Sequence, residues 1–302
     1  MENPITFKPQ PRSGRTYGVS VKYFGEDQIV PGKRVDFQVV VGIEQYKNED
    51  RTWQVTIDRK ELFINQHEPD LISEQLSSLA MSALYPIKVD VNHRNEIFRG
   101  VVNHPEILKR WAQVSEKIAD KYAGNYSELF IKKMNDSLSD ASEVERALGF
   151  DMFWSAFFHP QYLDYGPDLS RDLDFYFPVL PYKKMRFSGK QILSAAYTDY
   201  GTYHIEFSAE DDLPEEIRWA DRSATMRIHA DFDLDRNGGM AKNTIVNWGI
   251  YGANGINAGR RIQFSAYELK TGVSTENKSE VLVNETTAPI AEKKGFWERI
   301  LG

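Results

Sequence analysis

Cysteine is missing from all 302 residues of this chain. Its absence excludes disulfides, thiolate metal sites and cysteine nucleophiles. Long hydrophobic runs are missing too, and none approaches the ~20 residues that cross a bilayer as a helix. The opening stretch, MENPITFKPQPRSGRTYG, contains no apolar segment of the kind that starts a secretory signal. The cytoplasm is the expected compartment on that basis, although a chain handed to a dedicated secretion machine would read the same way. Positive charge is in deficit, with 37 Lys and Arg against 44 Asp and Glu, a net charge of −7. Nucleic-acid binding needs a basic footprint, so no nucleic-acid partner is expected. The motifs of common catalysts are absent as well: no Gly-Lys-Ser/Thr loop, no strand-to-helix glycine turn for a dinucleotide, and no serine elbow. The chain reads as non-enzymatic, with no cofactor and no metal.

What is present is patterned. Aromatic residues make up 13% of the chain and charged residues 27%, a composition that supports an ordered core. Residues 1–15 are Pro-rich and polar and read as a loose arm. Three strand patterns follow, in which Tyr17, Val19, Val21 and Tyr23, then Val35 to Ile43, then Trp53, Val55 and Ile57 alternate with polar residues. A period of two with one polar face marks an antiparallel sheet packed on one side. Helical spacing then takes over. Ile72, Leu76, Leu79 and Ala83 predict a helix over 68–84, and Ile107, Trp111, Val114, Ile118 and Tyr122 predict another that starts at Asn103 and stops at Gly124. Between them Ile87–Val91 and Glu96–Val102 form a hairpin. Two further helices are predicted over 126–138 and 140–157, each of the Asn103/Glu106 and Asp140/Glu143 pairs having the spacing of a capping box. Strand candidates return at 173–179, 191–198, 202–208, 225–235, 243–250 and 262–269.

Strands, then helices, then strands without βαβ alternation predict an α+β fold. The expected arrangement is curved antiparallel sheet packed on a central cluster of three to four helices, with a polar C-terminal tail. One sheet or two remain open. The body spans 16–270, with a natural sub-boundary near 158–171, and residues 271–302 read as linker and terminal peptide.

Three segments are candidates for function. The tail closes on KKGFWERILG, where Phe296, Trp297, Ile300 and Leu301 line one face of a short helix. So short a helix forms only against something, and helix-in-groove docking to a protein partner fits it, with Trp297 as anchor. Weak contact with a membrane surface fits the neighbouring Lys293, Lys294 and Arg299. The second segment is the strand Arg227–Asp235, which places His229, Asp231, Asp233 and Asp235 on one face, joined by His204 and Glu206 if the preceding strand pairs with it. Carboxylates with imidazoles suit acid–base or metal-assisted hydrolysis, whereas one face of an antiparallel sheet ordinarily meets water. Asp233 to Gly238 copies the first half of a calcium loop, but the twelfth position is Thr244 where a bidentate Glu is needed. The third is the aromatic loop 157–167, in which His159, oriented by Asp164, and Tyr162 and Tyr165 can line a pocket mouth or simply cap the core. The primary expectation is a non-catalytic adaptor or assembly component that recruits a protein through its tail. The alternatives are a carrier of a hydrophobic small molecule between sheet and helices, and a hydrolase at the His229 face. Oligomeric state is not readable from the residues.

Overall fold

The protein is described from a computed structural model covering residues 5, 7–26, 28–122, 124–180, 183–215, 224–237, 240–252 and 257–269. The terminal residues Phe296, Trp297, Ile300 and Leu301 lie outside the described residues. Among the described residues, eleven strands form one sheet: β1 (Gly14–Phe24), β2 (Lys33–Lys47), β3 (Thr52–Ile64), β4 (Ile87–Val91), β5 (Ile97–Val101), β6 (Ser170–Leu180), β7 (Lys183–Leu193), β8 (Thr202–Asp212), β9 (Thr225–Asp235), β10 (Ala241–Tyr251) and β11 (Asn257–Glu268). Their spatial order is β5-β4-β3-β2-β1-β11-β10-β9-β8-β7-β6, antiparallel throughout. Helix α1 (Ile72–Leu84) lies between β3 and β4, and α2 (His104–Lys121), α3 (Asn125–Ser137), α4 (Ala141–Leu148) and α5 (Met152–Phe157) lie between β5 and β6.

This corrects the expected α+β architecture with a central helical cluster. A single large antiparallel sheet dominates, and the helices form no central cluster. Helices α1 to α4 pack in sequence on one another, with α1 against β3 and α4 against β5, at one end of the sheet. Only α5 reaches the centre, touching β6, β10 and β11. The physical reason is the pairing of β1 with β11, which registers Val19 against Ala266 and Val21 against Phe264. That long-range pairing welds the N-terminal and C-terminal strand runs into one surface, whose apolar face is too wide for a small cluster to cover. The sheet meets part of that need with its own side chains. Tyr17, Val39, Val246, Phe232, Phe207, Phe175 and Phe187, from seven strands, are all buried on the same side.

The break between α4 and α5 has a local cause. A single helix is predicted over 140–157, but Asp151 accepts hydrogen bonds from the N–H groups of Phe153 (2.8 Å) and Trp154 (3.3 Å) and so starts a new helix. Asp140 caps α4 as its spacing predicts, accepting from the Glu143 N–H at 3.0 Å. Asn103 does not cap α2 with its side chain. Its amide instead accepts from the Lys88 N–H (2.9 Å) and donates to the Pro86 carbonyl (3.0 Å), tying the helix start to β4.

Candidate functional site

The polar strand face assembles as its alternation predicts. Antiparallel pairing of β8 and β9 sets His204 opposite Asp233, Glu206 opposite Asp231 and Ser208 opposite His229. His204 Nδ1 lies 2.9 Å from Asp233 Oδ1 and its Nε2 lies 3.7 Å from Asp231 Oδ1. His229 Nε2 lies 3.2 Å from the other Asp231 oxygen, and its Nδ1 lies 3.0 Å from Ser208 Oγ and 3.5 Å from Glu206 Oε1. Acids and imidazoles thus alternate across two strands. Hydrogen bonding to Asp231 raises the His229 pKa against the opposing effect of burial, and the same bond lowers that of Asp231. These side chains are a quarter to a half exposed on the sheet's polar face, and none of them lines either cleft described below. Among the described residues, no group of three or more His, Asp or Glu is arranged to hold a metal ion.

Asp235 is separated from this row by its partners. Arg15, on the buried side of β1, forms an ion pair with Asp235 and another with Glu268 at 3.2 Å, and donates to the Met240 carbonyl at 3.1 Å. Burial pushes the Asp235 carboxyl up, but the Asn237 N–H and the Arg15 guanidinium outweigh it and hold its pKa low. The carboxylate therefore fastens the end of β9 to β1 and β11.

The aromatic loop turns inward. His159 is buried, with its ring 4.4 Å from Phe175 and 5.5 Å from Phe232. Its Nε2 meets Gln191 Oε1 at 2.8 Å, so the imidazole is the donor and carries its proton there. The Gln191 amide donates to the Pro160 carbonyl (3.0 Å) and to Tyr165 Oη (2.7 Å), and Tyr165 donates onward to the Gln161 carbonyl (2.8 Å). Burial drives the His159 pKa down to about 4. Tyr162 is also buried, its ring 5.3 Å from that of Phe7, and burial raises the pKa of both tyrosines. Asp164 faces outward, accepting from the Gly166 N–H at 3.0 Å. The histidine and the carboxylate that the sequence pairs are therefore on opposite sides of the loop.

Two clefts lie where the outer ends of the sheet approach each other. The first, about 370 Å³, is bounded by Arg94 and Glu96 of the β4–β5 turn, by Asp164, and by Arg171, Asp172 and Leu173 of β6. The second, about 320 Å³, lies between sheet and helices. Val89 and Val101 of β4 and β5, with Leu148 of α4 and Trp154 of α5, form a buried apolar floor. Ile97 and Phe98, 38% and 55% exposed, form its rim. Its polar groups are Glu145 of α4 and Lys184 of β7. Glu145 Oε1 accepts the Val101 N–H at 3.0 Å, which satisfies a backbone donor on an edge strand. Gly100 permits this: a Cβ there would fall 1.7 Å from the carboxylate. No sequence signal marks this cleft, because its lining comes from β4–β5, α4–α5 and β7, and β5 and β7 are separated by four helices and β6.

No protein-family model matches the chain, and no curated protein matches it. Among solved structures, it is similar to a chain from a study of lipid–protein interactions in lipovitellin, at a TM-score of 0.46 and 8% identity. The match covers 87% of this chain and 26% of that one, so this chain spans about a quarter of that chain's length. Among the described residues, no helix is long and apolar enough to cross a membrane.

Proposed function

We propose that the folded body is a non-catalytic binding protein that takes a small apolar molecule into the cleft between β4–β5 and α4–α5. The observation that carries this reading is the gradient of exposure along the cleft, from a rim of exposed Ile97 and Phe98 to a floor of buried Val89 and Trp154. Small-molecule sites are concave and about 300–1,000 Å³, and the cleft has that volume, its surface shared between apolar side chains and the polar groups of its rim. The polar residues elsewhere have other work: His159 is sealed in the core and Asp235 anchors strand ends. The test is a fluorescence titration with the neutral probe N-phenyl-1-naphthylamine. Saturable binding at one site is expected, weakened about tenfold by Phe98→Glu, which places a charge on the apolar rim. Absence of binding, or binding indifferent to that substitution, would remove the reading.

A second reading concerns the terminal peptide, and its support is the apolar spacing of Phe296, Trp297, Ile300 and Leu301 in the sequence. In this reading the tail docks into a groove of a protein partner, and the chain serves as an adaptor. Deleting residues 294–302 is then expected to abolish partner capture in pull-downs while the melting temperature stays unchanged. Undiminished capture would count against the tail.

A further inference from the structure

Lys184 is the one basic residue lining the second cleft. No ion pair or hydrogen bond to its ammonium is found among the described residues, and no neighbouring charge perturbs it; the residue is exposed, and partial desolvation alone lowers its pKa. Its position is held from one side. The Nζ lies beside Gly149, just past the end of α4, close enough that a Cβ on that glycine would be 3.6 Å away. Gly149 has its own partners, its N–H donating to the Glu145 carbonyl (3.0 Å) and its carbonyl accepting from Ser155 Oγ (3.4 Å). The ammonium therefore keeps donors to offer to something else in the cleft.

The other titratable group in the lining, Glu145, differs in this respect. One of its oxygens is committed to the Val101 N–H, and the carboxylate sits against Gly100. The cleft thus presents an apolar floor, a carboxylate engaged with the backbone, and an amine without a counter-charge. We infer that the occupant is an amphiphile with an anionic head, its apolar tail lying between the exposed Ile97 and Phe98 and the floor of Leu148 and Trp154, and its head against the Lys184 ammonium. The inference rests on the preceding reading of the cleft as a ligand site. A volume of about 320 Å³ lies at the small end of the range for ligand sites and suits a carboxylate with a medium-length alkyl tail.

Calorimetric titration of the full chain at pH 7 with decanoate, decanol and decylamine tests this. Decanoate is expected to bind about tenfold more tightly than decanol, the usual size of a charge-assisted hydrogen bond. Lys184→Met should bring decanoate down to the level of decanol and leave decanol unchanged, and Lys184→Arg should restore the preference. Circular dichroism melts of both variants confirm that they fold. Equal binding of decanoate and decanol, or a preference that survives Lys184→Met, would overturn the anionic head while leaving the apolar cleft in place. A preference for decylamine would transfer recognition to Glu145 and also overturn it. Binding of none of the three would remove both the inference and the ligand site beneath it.

Discussion

Asp151→Ala is expected to destabilise the protein by about 4 kcal/mol, combining the loss of a helix cap with the stranding of a buried charge. Arg59 sits on the buried side of β3, opposite Val39 of β2. Its guanidinium lies 4.2 Å from the centre of the Phe37 ring and 5.0 Å from that of Tyr85. The Asp151 carboxylate, 2.7 Å from Arg59 Nη2, is its ionic partner among the described residues, and the two side chains are only 8% and 13% exposed. That same carboxylate starts α5. Removing it therefore loosens the helix that reaches the middle of the sheet and leaves a cation among aromatic rings. Replacing both partners, as Arg59→Met with Asp151→Asn, should cost much less, because asparagine still caps and no charge is left buried. Urea unfolding gives both values from the midpoint at constant m. A loss below about 1 kcal/mol for Asp151→Ala would show that the pair holds little of the fold together.

Acid should destabilise the protein well before its carboxylates titrate. His159 is neutral in the core, with a pKa of about 4 against 6.5 in a free chain. Between those values the unfolded chain takes up a proton that the folded chain refuses. The stability is thus fully present above pH 6.5, falls as pH drops toward 4, and levels off below it. A gap of that size is worth about 3 kcal/mol. His229 acts in the opposite sense. Its raised pKa contributes stability that is present below 6.5 and lost as pH climbs through its folded value, but its side chain is 42% exposed and solvent screens the effect. Urea midpoints measured from pH 7.5 to pH 4 should therefore slope downward into acid, and His159→Phe should flatten that slope. An unaltered slope in the variant would assign the acid sensitivity to other groups. Nitrogen-15 imidazole shifts provide a direct check, with His159 still neutral at pH 5.

Much of the local structure was legible in the residues. The bounds of β9, Thr225–Asp235, coincide with the run that alternates in the sequence, because a strand with one wet face writes its period directly into its side chains. The stripe from Ile107 to Ile118 is the buried face of α2 for the same reason. That His204 and Glu206 join the polar face of β9 was also readable, since sequential strands pair in most sheets, whereas the register that sets His204 opposite Asp233 comes from the structure. Asp151 was harder to see. A cap inside an apolar helical pattern competes with continuation of the helix, and only the packing of Phe153, Trp154 and Phe157 settles the competition in favour of a break. His159 and Asp164 sit five residues apart in a loop, and no periodicity states which of them turns inward.

Period, capping and turn chemistry are properties of a few adjacent residues, so the sequence alone determined most of the strands, the helix stripes and the polar face of β8 and β9, although the strand expected at 191–198 is in fact β7, Lys183–Leu193. The tertiary structure decided what is joined across the chain: β1 to β11, Arg59 to Asp151, and β5 to β7 across a cleft with Lys184 at its edge. Those contacts depend on which apolar surfaces bury one another once the whole sheet has formed, a competition between distant segments that no local pattern records.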